Sequence, residues 1–305
     1  MRHNFFIVAN PGAGLSGSPL VDQVTAALRQ AGASVTCAQP GNVEGARVMA
    51  HEAAACGRYD AIVAAGGDGT IRQVAAALLD SDGPPLGIVP MGTGNVLAHE
   101  IGLALNAGAI TRMLLHGPST PVMCARANNE PFLLMAGAGF DGRVIAALDH
   151  RFKSYVGKAA YAGPILGALV RPVDMLTVTL DGARHEASWA VISNARHYGG
   201  RFVLAPHTGI QERGLQAVLF KARNRAVLMG QVLSLVTGRL DKRAATQGDV
   251  AMLPCMSATI TAHHPVPIQV DGDPSGTTPL QIESGSATVR LIVPAELPST
   301  GHGRH

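Results

Sequence analysis

The sequence lacks the features of a membrane-embedded protein, and it has few aromatic or charged residues. Aromatic residues make up 4% and charged residues 15% of the 305 positions. The longest smooth apolar run, 159–170, contains Tyr161, Gly163 and Pro164, and it is shorter than the roughly 20 residues that cross a bilayer. We therefore expect no transmembrane segment.

Strong charge and paired cysteines are also missing. The formal net charge is only +3, which gives no indication of a nucleic-acid partner. The cysteines are widely spaced and form no CxxC pair, which favours reduced thiols in the core over a disulfide framework. They are Cys37, Cys56, Cys124 and Cys255. The apolar stretch 5–9 is too short for a signal peptide, so we expect a cytoplasmic protein.

The chain has the length and the apolar content of a globular protein with two domains. Apolar residues occupy 47% of its positions, which is too many for a disordered chain. A length of 305 residues exceeds the usual size of a single core. Two domains are therefore the first expectation, and one large domain is the alternative.

Short strands alternate with helical patterns through the first 115 residues. Apolar runs at 5–9, 61–65 and 86–89 predict strands, and Leu20, Val24 and Leu28 recur at helical spacing between the first two. Strands that are joined through helices lie parallel in one sheet. The pattern predicts an α/β domain with a doubly wound parallel sheet over residues 1–120.

Glycine-rich turns follow three of these predicted strands, at 10–14 (NPGAG), 66–70 (GGDGT) and 90–95 (PMGTGN). Glycine admits close backbone approach, and the N–H groups at the start of the next helix suit phosphate oxygens. One such turn is more often only a tight turn, but three that converge on one sheet edge predict a polyphosphate site. The absence of GxxxxGK[ST] and GxGxxG disfavours a P-loop enzyme and a Rossmann dehydrogenase.

The second half of the chain is rich in predicted strands. Asp181-Gly182 is a strong hairpin signal, and one helix is predicted around 225–236 with Gly238 past its end. We expect a second, mainly β domain over residues 121–305, built as a sandwich, with Trp189 in its core. The residues after Pro294 form either a tail or a return to the first domain.

The paired motifs GGDGT at 66–70 and PMGTGN at 90–95 resemble the diacylglycerol kinase catalytic-domain family, which includes bacterial lipid kinases and sphingosine kinases. The resemblance extends over most of the chain, through GAGFDG at 137–142, NARHYGG at 194–200 and QVDGD at 269–273. It implies an α/β nucleotide domain joined to a β-sandwich lipid-binding domain. It also implies transfer of the γ-phosphate of ATP to a hydroxyl of diacylglycerol or a related lipid.

The resemblance assigns roles to individual residues. Asp271 matches the position of the family's base, and Asp273 shares that duty, orients Asp271 or binds a cation. Asp68 acts through Mg²⁺, because a bare carboxylate beside a triphosphate is repelled without a cation. The alternative for Asp271-Gly272 is that it only forms a turn. The residues that line the nucleotide site by this resemblance are Asn10, Pro11, Gly14, Gly66, Gly67, Asp68, Gly69, Thr70, Gly92, Thr93 and Asn95.

Two other functions remain open from the sequence. GGDGT also occurs in NAD kinases, so a kinase with a soluble substrate is one alternative, although the late VDGD motif argues against it. A catalytically silent nucleotide- or lipid-binding protein is the other. As partner we expect a lipid substrate at the membrane surface, with the protein peripheral at the inner face, no nucleic acid, and a homodimer left open.

The segment around 151–171 combines basic and apolar residues. Its basic residues are Arg151, Lys153, Lys158 and Arg171. Basic residues around apolar ones suit the edge of an anionic membrane, which predicts that this segment borders the lipid entrance. The competing interpretation is an ordinary amphipathic helix packed on the β domain.

Overall fold

The computed structural model describes residues 1–9, 19–148 and 162–296. The chain divides into two compact units, one formed by residues 1–122 with the segment from Thr288 onward, the other by residues 123–287. Within the described ranges, none of the helices combines the length and the apolar character that are needed to cross a bilayer.

The first unit is a six-stranded sheet with helices between its strands. Its strands are β1 (Asn4–Ala9), β2 (Ser34–Ala38), β3 (Ala61–Gly66), β4 (Leu86–Pro90), β5 (Ser119–Met123) and β20 (Thr288–Ile292). Its described helices are α1 (Pro19–Gln30), α2 (Val43–Ala55), α3 (Asp68–Ala77), α4 (Val96–Glu100) and α5 (Ala107–His116). The strand order is β2-β1-β3-β4-β20-β5, and β1, β2, β3, β4 and β20 pair in parallel.

The order of the strands explains where a ligand can bind. From β1 the chain goes to β2 on one side and then returns to β3 on the other, so the direction of winding reverses between β1 and β3. In open parallel sheets, ligands bind at this reversal, outside the carboxyl ends of the strands. Strand β3 is buried at every position and ends at Gly66, which brings the GGDGT turn to that edge.

The second unit contains two further six-stranded sheets, with orders β10-β9-β16-β19-β6-β7 and β15-β14-β11-β8-β17-β18. Its strands are β6 (Ala125–Ala127), β7 (Glu130–Phe132), β8 (Met135–Ala138), β9 (Leu176–Leu180), β10 (Ala183–Ala187), β11 (Trp189–Ser193), β12 (His197–Tyr198), β13 (Phe202–Val203), β14 (Leu215–Phe220), β15 (Val250–Cys255), β16 (Ser257–Ala262), β17 (Pro267–Val270), β18 (Asp273–Thr277) and β19 (Leu280–Glu283). Its described helices are α6 (Phe140–Ala146), α7 (Ala162–Val170), α8 (Arg225–Val236) and α9 (Leu240–Gln247).

These two sheets pack face to face and share one hydrophobic core. Val178 and Ile260 of one sheet lie in the same buried cluster as Ala217 and Leu219 of the other. Alternate side chains of each strand point into this layer, as expected for a sandwich. The predicted fold class, a parallel α/β sheet followed by a β-sandwich, is confirmed.

Local predictions in the second unit also agree with the structure. Asp181 and Gly182 join the antiparallel strands β9 and β10 with φ angles of 46° and 90°, the left-handed values that a tight hairpin requires. Trp189 is 1% exposed, and its ring stacks on Phe220 with 3.8 Å between centroids. The predicted core position of Trp189 is therefore confirmed.

The prediction that the cysteines are core thiols is right for only two of them. All four are free thiols, and Cys124 and Cys255 are buried. Cys37 is exposed because it lies on β2, the outermost strand of its sheet, and Cys56 is exposed at the C-terminal cap of α2.

Candidate functional site

In the first unit, the loops after β3 and β4 are in direct contact. A Cβ atom on Gly92 would lie 2.8 Å from the Cα of Gly67, and one on Gly66 would lie 2.5 Å from the Oγ1 of Thr70. The N–H of Met91 donates to the carbonyl of Gly66 at 2.9 Å. A side chain at Gly92 would push the two loops apart, and one at Gly66 would displace Thr70 at the start of α3, because real Cβ atoms do not approach other heavy atoms so closely.

The carboxylate of Asp68 fastens the two loops together. Its Oδ2 accepts from the backbone N–H of Val96 at 3.0 Å, and its Oδ1 accepts from the N–H of Leu97 at 3.2 Å. These N–H groups belong to the first turn of α4, where no intrahelical acceptor exists. Asp68 therefore caps a helix that starts 28 positions later. The sequence did not predict this role, and the role of Asp68 toward Mg²⁺ stays a prediction.

The start of α3 and the residue Asn95 offer binding groups at the same place. Gly67 is the N-cap of α3 and has no side chain with which to satisfy the first N–H groups of the helix. The amide oxygen of Asn95 is buried and has no hydrogen-bond partner among the described residues. A helix N-terminus favours anions through its N–H groups and its dipole. The N–H groups of α3 are thus of the kind that binds phosphate oxygens, and the oxygen of Asn95 is a hydrogen-bond acceptor beside them.

The structure brings most of the predicted nucleotide-binding residues into these two loops. Gly66, Gly67, Asp68, Gly69 and Thr70 span the end of β3 and the first turn of α3. The other loop, between β4 and α4, contributes Gly92, Thr93 and Asn95. The remaining predicted residues, Asn10, Pro11 and Gly14, lie outside the described residues, as do Arg151, Lys153 and Lys158 of the basic segment.

In the second unit, Asp271 lies in the turn between β17 and β18, with a φ angle of 50°. It is 5% exposed, and its carboxylate accepts three backbone N–H groups. Leu133 donates to Oδ2 at 2.9 Å, while Leu134 and Met135 donate to Oδ1 at 2.9 and 3.0 Å. These donors stabilise the ionised carboxylate and fix its position. Asp271 and Gly272 thus form a turn whose carboxylate is held by backbone donors, and the role of Asp271 as a base stays a prediction. Asp273, at the start of β18, is more accessible than Asp271.

Asp141 and Gln269 form a buried polar pair that the sequence analysis did not single out. The Nε2 of Gln269 donates to Oδ2 of Asp141 at 3.0 Å, and Oε1 of Gln269 accepts from the N–H of Gly272 at 2.9 Å. Gln269 therefore connects Asp141 to the turn that carries Asp271. Burial raises the pKa of the Asp141 carboxyl to about 6, and hydrogen bonds from Gln269 and from the N–H of Gly142 oppose that rise.

Asp141 and Gln269 belong to two motifs that can be recognised in the sequence. GAGFDG and QVDGD lie on the paired strands β8 and β17 or directly after them. A Cβ on Gly137 would lie 2.5 Å from Oδ2 of Asp141, which explains why the first of these motifs needs glycine there. Because β8 and β17 are antiparallel, Asp271 lies beside Met135 at the start of β8, whereas Asp141 follows the end of β8. Gln269, opposite Gly137, connects the two places.

Two family descriptions match the chain. The diacylglycerol kinase catalytic domain matches residues 4–127, and the YegS C-terminal NAD kinase beta sandwich-like domain matches residues 135–293. Together they span most of the chain, and the second match includes β20 of the first unit.

Similar proteins occur in several bacteria. A Pseudomonas aeruginosa protein named "Probable lipid kinase YegS-like" is 28% identical over 291 residues, covering 93% of this chain and 92% of its own length. An uncharacterised Synechocystis protein is 31% identical over 249 residues, which are 77% of this chain, and this alignment covers 55% of the Synechocystis protein.

A solved structure has the same fold. The crystal structure of a diacylglycerol kinase from Bacillus anthracis superimposes with a TM-score of 0.74 and 22% identity, and the match covers 96% of this chain and 97% of that one. At this level of identity the likeness establishes the fold alone.

Proposed function

The chain belongs to the diacylglycerol kinase catalytic domain family, with a second unit of the YegS C-terminal type, and from this premise we propose that it transfers the γ-phosphate of ATP to a hydroxyl of diacylglycerol or a related lipid. Family membership supports the class of lipid kinase, whereas the acceptor lipid is our proposal.

The observation that carries the proposal is the pair of glycine loops held together by Asp68. They present the start of α3, whose N-cap Gly67 has no side chain, at the edge of the sheet where the winding reverses. We propose that the phosphates of ATP bind these N–H groups and that Asn95, Thr93 and Gly92 contact the same nucleotide. Asn10, Pro11 and Gly14 complete the site in this proposal, since they follow β1, the other strand at the reversal.

Magnesium has one function in this scheme. When bound, it neutralises the charge of the phosphates during transfer. Mg²⁺ prefers oxygen ligands, and carboxylates are among them. The carboxylate of Asp68 is therefore a suitable type of ligand for this ion. We propose that Asp68 acts on the ion through the nucleotide phosphates, in addition to capping α4.

The proton of the acceptor hydroxyl requires a base, and the second unit supplies two candidates. We propose Asp271, whose position is fixed by three N–H donors. Asp273 is the competing candidate, because it is adjacent and more accessible. A positioned base contributes roughly 10²- to 10⁴-fold to a rate, so the two assignments are separable by experiment.

The test is transfer of labelled γ-phosphate into extracted membrane lipids. The natural chain is compared with Asp271→Asn and Asp273→Asn, and Asp22→Asn, an exposed aspartate on α1, is the matched control. We expect labelled lipid with the natural chain and the control, and a loss of about 100-fold or more with the variant that lacks the base. Labelling of NAD instead of lipid would identify the soluble-substrate alternative, and ATP binding without any transfer would identify a silent binding protein.

A further inference from the structure

One helix of the second unit is apolar on its exposed side as well as on its buried side. On α8, Met229 is 55% exposed, Leu233 is 61% exposed and Val236 is 51% exposed. They follow one another at intervals of four and three residues, so they form a single stripe along the helix. Leu228 and Leu235 are buried on another face. Helices that face water usually carry charged side chains along that face, whereas on α8 the charged residue of this stripe is Arg225, at the first position of the helix.

The neighbouring helix α7 also has exposed apolar residues. It packs against α8, and its own Leu166 and Val170 are 64% and 57% exposed. All nine residues of α7 are uncharged. The surface, which we name the α7–α8 apolar face, consists of Leu166, Val170, Met229, Leu233 and Val236.

Arginines border one end of the α7–α8 apolar face. Arg225 lies one helical turn before Met229 on the same stripe, Arg223 precedes it, and Arg171 directly follows α7; all three are exposed. An open cavity of about 530 Å³ is lined by Pro172 together with Arg223 and Arg225, which places the end of α7 beside the start of α8. Neither helix contains an aspartate or a glutamate.

We propose that the α7–α8 apolar face docks on an anionic phospholipid bilayer, with its aliphatic side chains at the acyl boundary and Arg171, Arg223 and Arg225 at the lipid phosphates. Such a bilayer presents an apolar layer directly beneath a layer of negative charge, which is the complement of an apolar face bordered by arginines on one side. A lipid kinase needs such contact to reach its acceptor. Docking through this face requires neither ATP nor turnover. The docking proposal can therefore be tested independently of the proposed kinase activity.

Vesicle sedimentation tests the proposal with the full chain and no nucleotide. The vesicles contain phosphatidylglycerol and phosphatidylcholine in equal amounts, and a second set contains phosphatidylcholine alone. Two double variants are compared with the natural chain, Met229→Ser with Leu233→Ser, and Arg223→Glu with Arg225→Glu. Val48→Ser and Arg112→Glu are the controls, because both residues are exposed but lie on helices of the first unit.

We expect each double variant to bind the anionic vesicles at least about tenfold more weakly, and both controls to bind as the natural chain does. The natural chain should bind phosphatidylcholine vesicles much more weakly than anionic ones. Unchanged vesicle binding in both double variants would overturn the proposal, as would a natural chain that does not sediment with anionic vesicles. If the serine variant instead converts an oligomer to a monomer without changing vesicle binding, a second copy covers this face and the proposal is wrong.

Discussion

The side-chain amide of Gln269 donates a hydrogen bond of 3.0 Å to the buried carboxylate of Asp141. The other end of the same amide accepts from the N–H of Gly272. One side chain thereby connects the first turn of α6 to the turn that carries Asp271, over 128 positions of sequence. Hydrogen bonds of Gln269 thus tie the turn that carries the proposed base to Asp141.

Replacement of Gln269 should therefore destabilise the fold. Gln269→Leu removes the side-chain donor to a carboxylate that is 1% exposed and the acceptor of Gly272, and a buried polar group without its partner costs about 1–3 kcal/mol. Urea unfolding measures the loss. Gln281→Leu, at an exposed position of β19, is the control and should change stability by less than about 0.5 kcal/mol. Equal stability of the two variants would show that the bridge contributes nothing.

The raised pKa of Asp141 predicts a specific dependence of stability on pH. The unfolded chain releases this proton near 3.8, whereas the folded chain holds it up to about 6. Ionisation thus favours the unfolded chain between these values. The stabilising contribution is complete below 3.8, is lost as the pH rises to about 6, and does not change further.

The measurement is the difference in unfolding free energy between the natural chain and Asp141→Asn as a function of pH. The contributions of other groups, which titrate in both chains, cancel in this difference. It should shift against the natural chain by on the order of 2 to 3 kcal/mol across that window. A difference that stays constant with pH would mean that Asp141 titrates alike in the folded and unfolded chains.

Asp271 and Asp273 should differ in their effects on stability. Asp271→Asn replaces one acceptor oxygen by an amide group that faces the N–H donors of residues 133–135, so we expect a loss of about 1–3 kcal/mol. Asp273→Asn, at the more accessible start of β18, should cost less than about 0.5 kcal/mol. Unfolding curves of both variants decide this. The same curves give a temperature at which both variants are fully folded, and the transfer assay should be run there.

Asp68 should contribute to stability and to nucleotide binding together. Asp68→Ala removes the acceptor of two N–H groups at the start of α4, which should cost about 1 kcal/mol, while Asp22→Ala on α1 should cost less. Titration with ATP, with and without Mg²⁺, then separates the two proposed roles. A loss of affinity that occurs only with Mg²⁺ supports the role toward the ion, and an equal loss in both conditions supports the helix cap alone.

The contact between the glycine loops should be sensitive to a single methyl group. Gly92→Ala places a Cβ atom 2.8 Å from the Cα of Gly67, so one loop must move, and we expect ATP to bind about tenfold more weakly. Gly41→Ala is the matched control, since no atom lies within 4 Å of the added Cβ. ATP affinity by calorimetry gives the comparison, and equal affinities of the two variants would exclude these loops from the nucleotide site.

The sequence predicted the fold class and the two glycine loops well, because these depend on local patterns. Apolar runs give strands β3 and β4, and glycines mark the positions where two backbones come close. The sandwich was predicted from short strands and from the hairpin at Asp181-Gly182. In each case the signal lies within a few residues of the feature that it predicts.

The functions of polar side chains were harder to predict, because their partners are distant in sequence. The three donors of Asp271 lie 136 to 138 positions away, and the two donors of Asp68 lie 28 and 29 positions away. No spacing rule connects such residues. The exposed positions of Cys37 and Cys56 were missed for a related reason, since Cys37 is exposed by the place of β2 at the edge of its sheet and Cys56 by its place at the C-terminal cap of α2.

Strand β20 determines when the first unit can be completed during synthesis. It lies between β4 and β5 in the sheet, yet it consists of residues 288–292, so it leaves the ribosome only after the whole second unit has been made. Until then β4 has an unpaired edge, which is a site for wrong pairing with other chains. A fragment ending at residue 122 would keep that open edge permanently, whereas residues 123–287 are continuous. The first unit must therefore wait for the second unit before its own sheet is closed.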